Sequence, residues 1–174
     1  PGPGTAAAPA ANGTAPTTGG APASAAEVTP AGDAPEQGPA WTVPGLREAY
    51  RLALLRIAAA DLTGGRTLEQ TMAALSALAD NTLGAAYDVA VGELPAGTPR
   101  PRLAVVAMGK CGGGELNYVS DVDVIFVAAE DDDLPASTHV ATRLIHICGL
   151  VAWPVDAALR PEGNRGPLVR TLAS

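Results

Sequence analysis

The chain has 174 residues, 11 basic side chains against 18 acidic ones, and a net charge of −7. That balance, with no basic stripe, excludes a general nucleic-acid surface, and the lack of any run of about 18 apolar residues excludes a helical membrane span. Two cysteines without metal-ligand spacing, Cys111 and Cys148, exclude a disulfide scaffold or a zinc module and fit free thiols in a reducing cytoplasm.

Residues 1–40 are built from Ala, Pro, Gly and Thr, with no Lys, Arg or aromatic residue. Such a segment cannot bury enough apolar surface to offset its ordering entropy, and disorder is expected. It lacks the basic region and Leu-rich core of a signal peptide. The remainder suffices for one domain. The first residue is not Met, and the chain stops after the apolar run Leu168-Val169-Arg170-Thr171-Leu172; both features read as a fragment of something longer, truncated at its C-terminus.

After residues 41–45, Leu46, Tyr50, Ala53, Leu54 and Ile57 recur at helical spacing, with Arg47, Arg51 and Arg56 off that face. The pattern predicts a helix over about 46–62, ended by Thr63-Gly64-Gly65. Thr67 with Gln70 three residues on is a capping-box pattern that opens a second helix. Its apolar face runs through Leu68, Met72, Leu75, Ala79, Leu83 and Ala86 to about Val91, and the two helices read as a packed hairpin over residues 41–94. Residues 95–101 form a linker rich in Pro, Gly and Thr.

The stretch 104–127 then runs strand, glycine turn with a short helix, strand. Side chains alternate along a strand, so Asp121 and Asp123 face one way while Val122, Val124 and Phe126 face the core. Two neighbouring carboxylates repel. A divalent cation offsets the repulsion, and Mg²⁺ favours carboxylates together with substrate phosphates. Gly109, Gly112, Gly113 and Gly114 crowd into six positions, a costly choice unless the backbone turns sharply or approaches something closely. Backbone N–H groups there suit phosphates.

Past an acidic turn at 128–133, Pro135 opens a third helix, with Ile145, Cys148, Leu150 and Val151 on its buried side. His139 and His146, seven apart on this helix, have no ligand partner, and His146 reads as a buried or half-buried structural histidine. Residues 153–159 read as a strand, placed at an edge or strand start by Pro154. Residues 161–167 read as a turn and 168–172 as a last strand. The expected fold is α/β (α+β): a helical hairpin followed by a small mixed sheet of at least three or four strands with flanking helices over residues 102–174.

Asp156 on the later strand makes a third carboxylate. Three such groups suit two metal ions and in-line displacement at phosphorus. Other phosphate motifs fail. Lys110, the only lysine, precedes Gly112, whereas a P-loop lysine follows its last glycine. Gly109, Gly112 and Gly114 give G-x-x-G-x-G in place of the dinucleotide fingerprint. Ile125 and Val127 supply no oxygen ligands for an EF-hand. Ser120 is either a phosphate contact or a strand start. Arg160 and Arg165 flank a turn, as phosphate clamps or as solvated surface.

Gly109 followed, after eleven residues, by Asp121-Val122-Asp123 resembles the nucleotidyltransferase pattern of the DNA polymerase beta superfamily. The fuller strings GKCGGGELNYVSDVDVIFV and VDAALRPEGNRGPLVRTL resemble the bifunctional glutamine synthetase adenylyltransferase/adenylyl-removing enzymes. The Glu115-Leu116-Asn117-Tyr118 and Gly166-Pro167-Leu168-Val169 variants resemble the N-terminal, adenylyl-removing domain. The resemblance covers about 46–174. It implies a polymerase beta-like nucleotidyltransferase fold and removal of AMP from a tyrosine of adenylylated glutamine synthetase by phosphorolysis, with ADP released. Mg²⁺ and a nitrogen-signalling regulatory protein are implied alongside.

Carried over residue by residue, Asp121, Asp123 and Asp156 are the metal-binding, catalytic carboxylates. Gly109, Lys110, Gly112, Gly113 and Ser120 are the phosphate-binding turn. Cys111 replaces the family's usual Leu. Ala157-Ala158 replaces the usual Met-Arg, a departure that weakens a phosphate contact and leaves more of it to Arg160 or Arg165. Two alternatives stay open: attachment of AMP from ATP, and a non-catalytic module that binds nucleotide or glutamine synthetase.

Overall fold

A computed structural model of the chain describes residues 41–160 and 162–174. The disorder expected for residues 1–40, and Pro161 of the expected turn, lie outside the described residues. The first helix, α1, spans Val43–Leu62. It starts three residues before the expected point because Thr42 caps it, its hydroxyl accepting the Gly45 N–H at 3.3 Å, and Pro44 sits in the first turn, where no N–H is missed. Gly64, at φ +71°, takes the left-handed turn that ends it.

The second helix, α2, spans Leu68–Gly92. Both capping-box bonds form: Gln70 N–H to Thr67 Oγ1 at 3.3 Å, and Thr67 N–H to Gln70 Oε1 at 3.0 Å. Leu75, Ala79, Leu83, Ala86 and Ala90 are buried. Leu68, expected on that face, is exposed at the start of α2, as is Leu62 at the end of α1.

Strand β1 (Leu103–Ala107) and a single helical turn α3 (Gly109–Gly112) lead into strand β2 (Val122–Ala128). Helix α4 (Leu134–Val151) then crosses over to β3 (Val155–Asp156), and β4 (Val169–Thr171) follows. The sheet has four strands and is mixed. β1 pairs antiparallel with β2 from Leu103↔Ala128 to Ala107↔Val124. β3 and β4 both run parallel to β2, β3 beside Val122–Asp123 and β4 beside Phe126–Ala128.

The expected strand over 153–159 is much shorter. Pro154 has no N–H to give a ladder, though its carbonyl accepts the Val122 N–H. After Asp156 the chain turns, with Ala158 N–H bonded to Asp156 Oδ1 at 2.7 Å. Trp153 is buried and meets Tyr50 of α1 edge-on at 6.2 Å.

Helix α4 packs between the hairpin and β2, β3 and β4. Its buried positions, Ser137, Val140, Ala141, Leu144, Ile147, Cys148 and Val151, follow helical spacing. Leu150, on the flank of this stripe, and His146, on the far side, are both exposed. Two sequence expectations are corrected here: Leu150 is not on the buried side, and His146 is not a buried histidine. Both cysteines are free and buried, and burial pushes the Cys148 thiol up to about 12.

Alternation along β2 is complete. Val122, Val124, Phe126 and Ala128 are essentially inaccessible, while Asp123, Ile125 and Val127 face the other way, half-buried. Phe126, the only phenylalanine, lies at the centre of the core. Phe126→Ala is expected to cost about 3–5 kcal/mol, the usual range for an aromatic removed from a packed interior. Urea unfolding followed by circular dichroism checks it.

Candidate active site

Asp121 stands immediately before β2 and Asp123 two residues into its course, so both side chains leave the face opposite Phe126. The parallel register Val122↔Val155, Asp123↔Asp156 sets Asp156 directly beside Asp123. One carboxylate oxygen of each of the three residues lies within 4.8 Å of the other two. Neighbouring strands are about 4.8 Å apart, so the register alone accounts for the closeness of the Asp123–Asp156 pair. Like charges directly opposite on paired strands are unfavourable. None of the three carboxylates forms an ion pair with Lys, Arg or His among the described residues. Three oxygen donors without a protein countercharge fit a hard divalent cation such as Mg²⁺.

The glycine turn closes on this cluster. Met108 N–H donates to Asp123 O at 2.8 Å, continuing the β1–β2 ladder to the carboxylate's own residue. Gly109, at φ +54°, comes so close that a Cβ there would lie 2.6 Å from Asp123 Oδ2. A Cβ on Gly112 would lie 2.4 Å from the Ala107 carbonyl oxygen. Gly112 is therefore demanded by close approach to backbone, and Gly109 by its left-handed φ beside the carboxylate. The turn is anchored by buried Cys111, whose thiol is pushed up by burial and then by the charges of Asp80 and Asp123.

The remaining expected residues differ in what they touch. Lys110 is exposed on the turn. The Gly112 and Gly113 N–H groups are used inside it, on Met108 O and Gly109 O, both at 3.0 Å, so these amides are not directed outward. Ser120 donates from Oγ to Asn117 Oδ1 at 2.7 Å and keeps its lone pairs. Arg160 folds onto the backbone of its own loop, Nη1 on Ala157 O and Nε on Gly166 O, leaving Nη2 for another acceptor. Arg165 is exposed, at the end of a short 3-10 turn.

Sequence reasoning missed Asp61. Its Oδ1 accepts from Thr71 Oγ1 at 3.0 Å and its Oδ2 from the Tyr118 hydroxyl at 2.9 Å, joining both hairpin helices to the loop before Asp121. A signal was present: a carboxylate in the last turn of a helix opposes the helix dipole and calls for another reason to be there. Ser76 was missed too. It accepts the N–H of buried Leu116 at 3.1 Å. Among the described residues no helix is long and apolar enough to cross a membrane.

Comparison with known proteins gives a consistent result. The sequence model of the family described as glutamate-ammonia ligase adenylyltransferase matches residues 20–174. Similar proteins include the bifunctional glutamine synthetase adenylyltransferase/adenylyl-removing enzymes of Streptomyces avermitilis, 53% identical over 140 residues, and Streptomyces coelicolor, 51% over 143; each alignment covers 74% of this chain and 14% of the relative. The protein of the same description from Mycolicibacterium smegmatis is 48% identical over 151 residues, 80% of this chain and 15% of the relative. The chain thus spans about one seventh of the length of the relatives it matches.

Proposed function

Because the chain belongs to the glutamate-ammonia ligase adenylyltransferase family, a family of nucleotidyltransferases, we propose that it carries the site that removes AMP from adenylylated glutamine synthetase by phosphorolysis. The observation that carries the reading is the parallel register that sets Asp156 beside Asp123, two residues from Asp121. On this reading residues 102–174 are the nucleotidyltransferase core. Residues 41–94 are the helical lead that braces it. The reaction belongs to the cytoplasm, with glutamine synthetase as protein substrate and a nitrogen-signalling regulatory protein as the family's implied effector.

An oxygen of inorganic phosphate attacks the phosphorus that joins AMP to the tyrosine. The phosphorus–oxygen bond to the tyrosine breaks, the phenol oxygen takes a proton, and the new phosphoanhydride is ADP. Such transfers depend on positioning and charge neutralisation more than on covalent help. Asp121, Asp123 and Asp156 would hold Mg²⁺, which when bound neutralises charge on the transferring group. Gly109 keeps the glycine turn pressed against the Asp123 carboxylate. Lys110, exposed on that turn, offers the anionic reactants a cation, and Ser120 offers a hydroxyl. The spare Arg160 nitrogen and Arg165 are further phosphate donors on the loop that follows Asp156. The removing direction rests on the Asn117-Tyr118 and Gly166-Pro167-Leu168 variants. AMP attachment from ATP would use the same carboxylates.

The test incubates this chain with adenylylated glutamine synthetase, phosphate and Mg²⁺ and follows ADP, with a full-length relative as positive control. Phosphate-dependent ADP release is the expected result. AMP incorporation from ATP without any phosphate-dependent release would overturn the direction, and nucleotide binding with neither reaction would leave a binding module.

A further inference from the structure

The loop that delivers Asp121 has no apolar anchor of its own. Leu116 before it and Val122 after it are buried at 2% and 0% exposure, but none of residues 117–121 is buried, and Val119 is 93% exposed. Its conformation is therefore fixed by hydrogen bonds. Two are internal: Asn117 Oδ1 accepts from Val119 N–H at 3.0 Å and from Ser120 Oγ at 2.7 Å, a local Asx turn. The described side-chain bond from this loop to another element is Tyr118 OH to Asp61 Oδ2. Asp61 is held in turn by Thr71 Oγ1 from the first turn of α2. Partial desolvation and the Asp61 carboxylate together raise the Tyr118 phenol above its ordinary value, as expected when an acceptor charge sits on its proton.

We propose that Asp61 and Tyr118 are positioning residues: the hydrogen bond between them couples the turn of the helical hairpin to the placement of Asp121, and so to the cation affinity of the carboxylate cluster. This rests on the cation-binding reading of Asp121, Asp123 and Asp156. Asp121 lies just outside the β ladder, whereas Asp123 and Asp156 are fixed by their register, so Asp121 is the member of the cluster whose position depends on the loop. Tyr118 is three residues away, and the Asn117 turn ties down Val119 and Ser120, the two residues between them. Partners beyond the ligands themselves commonly tune metal affinity by 10–100-fold. A partner acting through three residues of backbone is expected to do less, about 3–10-fold.

The test titrates the full chain with Mn²⁺ alone, reading free Mn²⁺ by electron paramagnetic resonance, beside thermal unfolding without metal. Tyr118→Phe removes one exposed hydroxyl and should leave the unfolding temperature nearly unchanged while weakening Mn²⁺ binding about 3–10-fold. Asp61→Asn, which keeps an acceptor oxygen, should fall between wild type and Tyr118→Phe. The double variant should be no weaker than Tyr118→Phe, because the two residues act through one bond. Amide exchange at residues 117–121 should quicken in Tyr118→Phe and nowhere in β2. Unchanged Mn²⁺ affinity in Tyr118→Phe, with wild type binding, overturns the coupling and leaves the carboxylate reading standing. A lowered unfolding temperature with unchanged affinity also overturns it, since that is a purely structural role. Absence of Mn²⁺ binding to wild type overturns both readings together.

Discussion

On the proposed function, Asp123→Asn is expected to lower phosphate-dependent AMP removal by at least about 10²–10³-fold, the scale on which loss of one preorganised electrostatic group acts on a transition state. Asp123 is the shared member of the cluster: two residues from Asp121 on one strand and the register partner of Asp156 on the next. Asn keeps the size of the side chain, so the β1–β2 ladder through Met108 N–H and the 123 carbonyl is retained. What is lost is one charge. The stability effect should therefore have the opposite sign to the activity effect. Without divalent cation, three crowded carboxylates repel, and removing one relieves the fold. Asp123→Asn should unfold at the same temperature as wild type or higher in chelator. Mg²⁺ should raise the unfolding temperature of wild type, because a ligand that binds only the native state stabilises it, and should leave that of the variant nearly unmoved. Activity within tenfold of wild type, or an equal Mg²⁺ shift in the variant, would remove Asp123 from the site.

The two constrained glycines separate fold from site. Gly112→Ala is expected to destabilise by about 1–3 kcal/mol, the usual cost of forced overpacking. Its Cβ would lie 2.4 Å from the Ala107 carbonyl oxygen, which is backbone at the end of β1 and cannot move without disturbing the strand. Gly109→Ala meets a movable obstacle, the Asp123 carboxylate, at 2.6 Å. It also forces an L residue to φ +54°, a conformation that costs about 1–2 kcal/mol. The carboxylate can swing aside, but doing so takes it out of the cluster. Gly109→Ala should thus lose metal affinity and turnover far beyond its loss of stability, whereas Gly112→Ala should lose stability first. Urea unfolding and Mn²⁺ titration on the same two variants decide it. Retained Mn²⁺ affinity in a folded Gly109→Ala would show that the turn does not govern Asp123.

Much of the fold was legible because it is written in short-range periods. The capping box at Thr67 and Gln70, the buried alternation of β2 and the helical spacing of Leu75, Ala79 and Leu83 each depend on residues within a few positions of one another. The fold departs from its sequence pattern where a period is incomplete. On α4, His146 lies across the helix from Leu144 and Leu150 lies on the flank beyond Ile147, so both are exposed although their neighbours are apolar and buried. The apolar run around Asp156 is longer than its strand, because Pro154 has no N–H for the ladder and the chain turns back on the Asp156 carboxylate at Ala158.

The sequence by itself determined that Asp121 and Asp123 share a face, that a tight glycine turn precedes them, and that the chain carries the family's nucleotidyltransferase pattern. Only the tertiary structure decided that Asp156 stands beside Asp123, that Gly109 lies against the Asp123 carboxylate, and that Asp61 holds Tyr118 from 57 residues away. The reason is physical. Face and turn follow from steric preferences of neighbouring residues, which a single chain displays locally. Register between β2 and β3 follows from how an 18-residue helix packs its buried side across the sheet, and that packing is a property of the whole core.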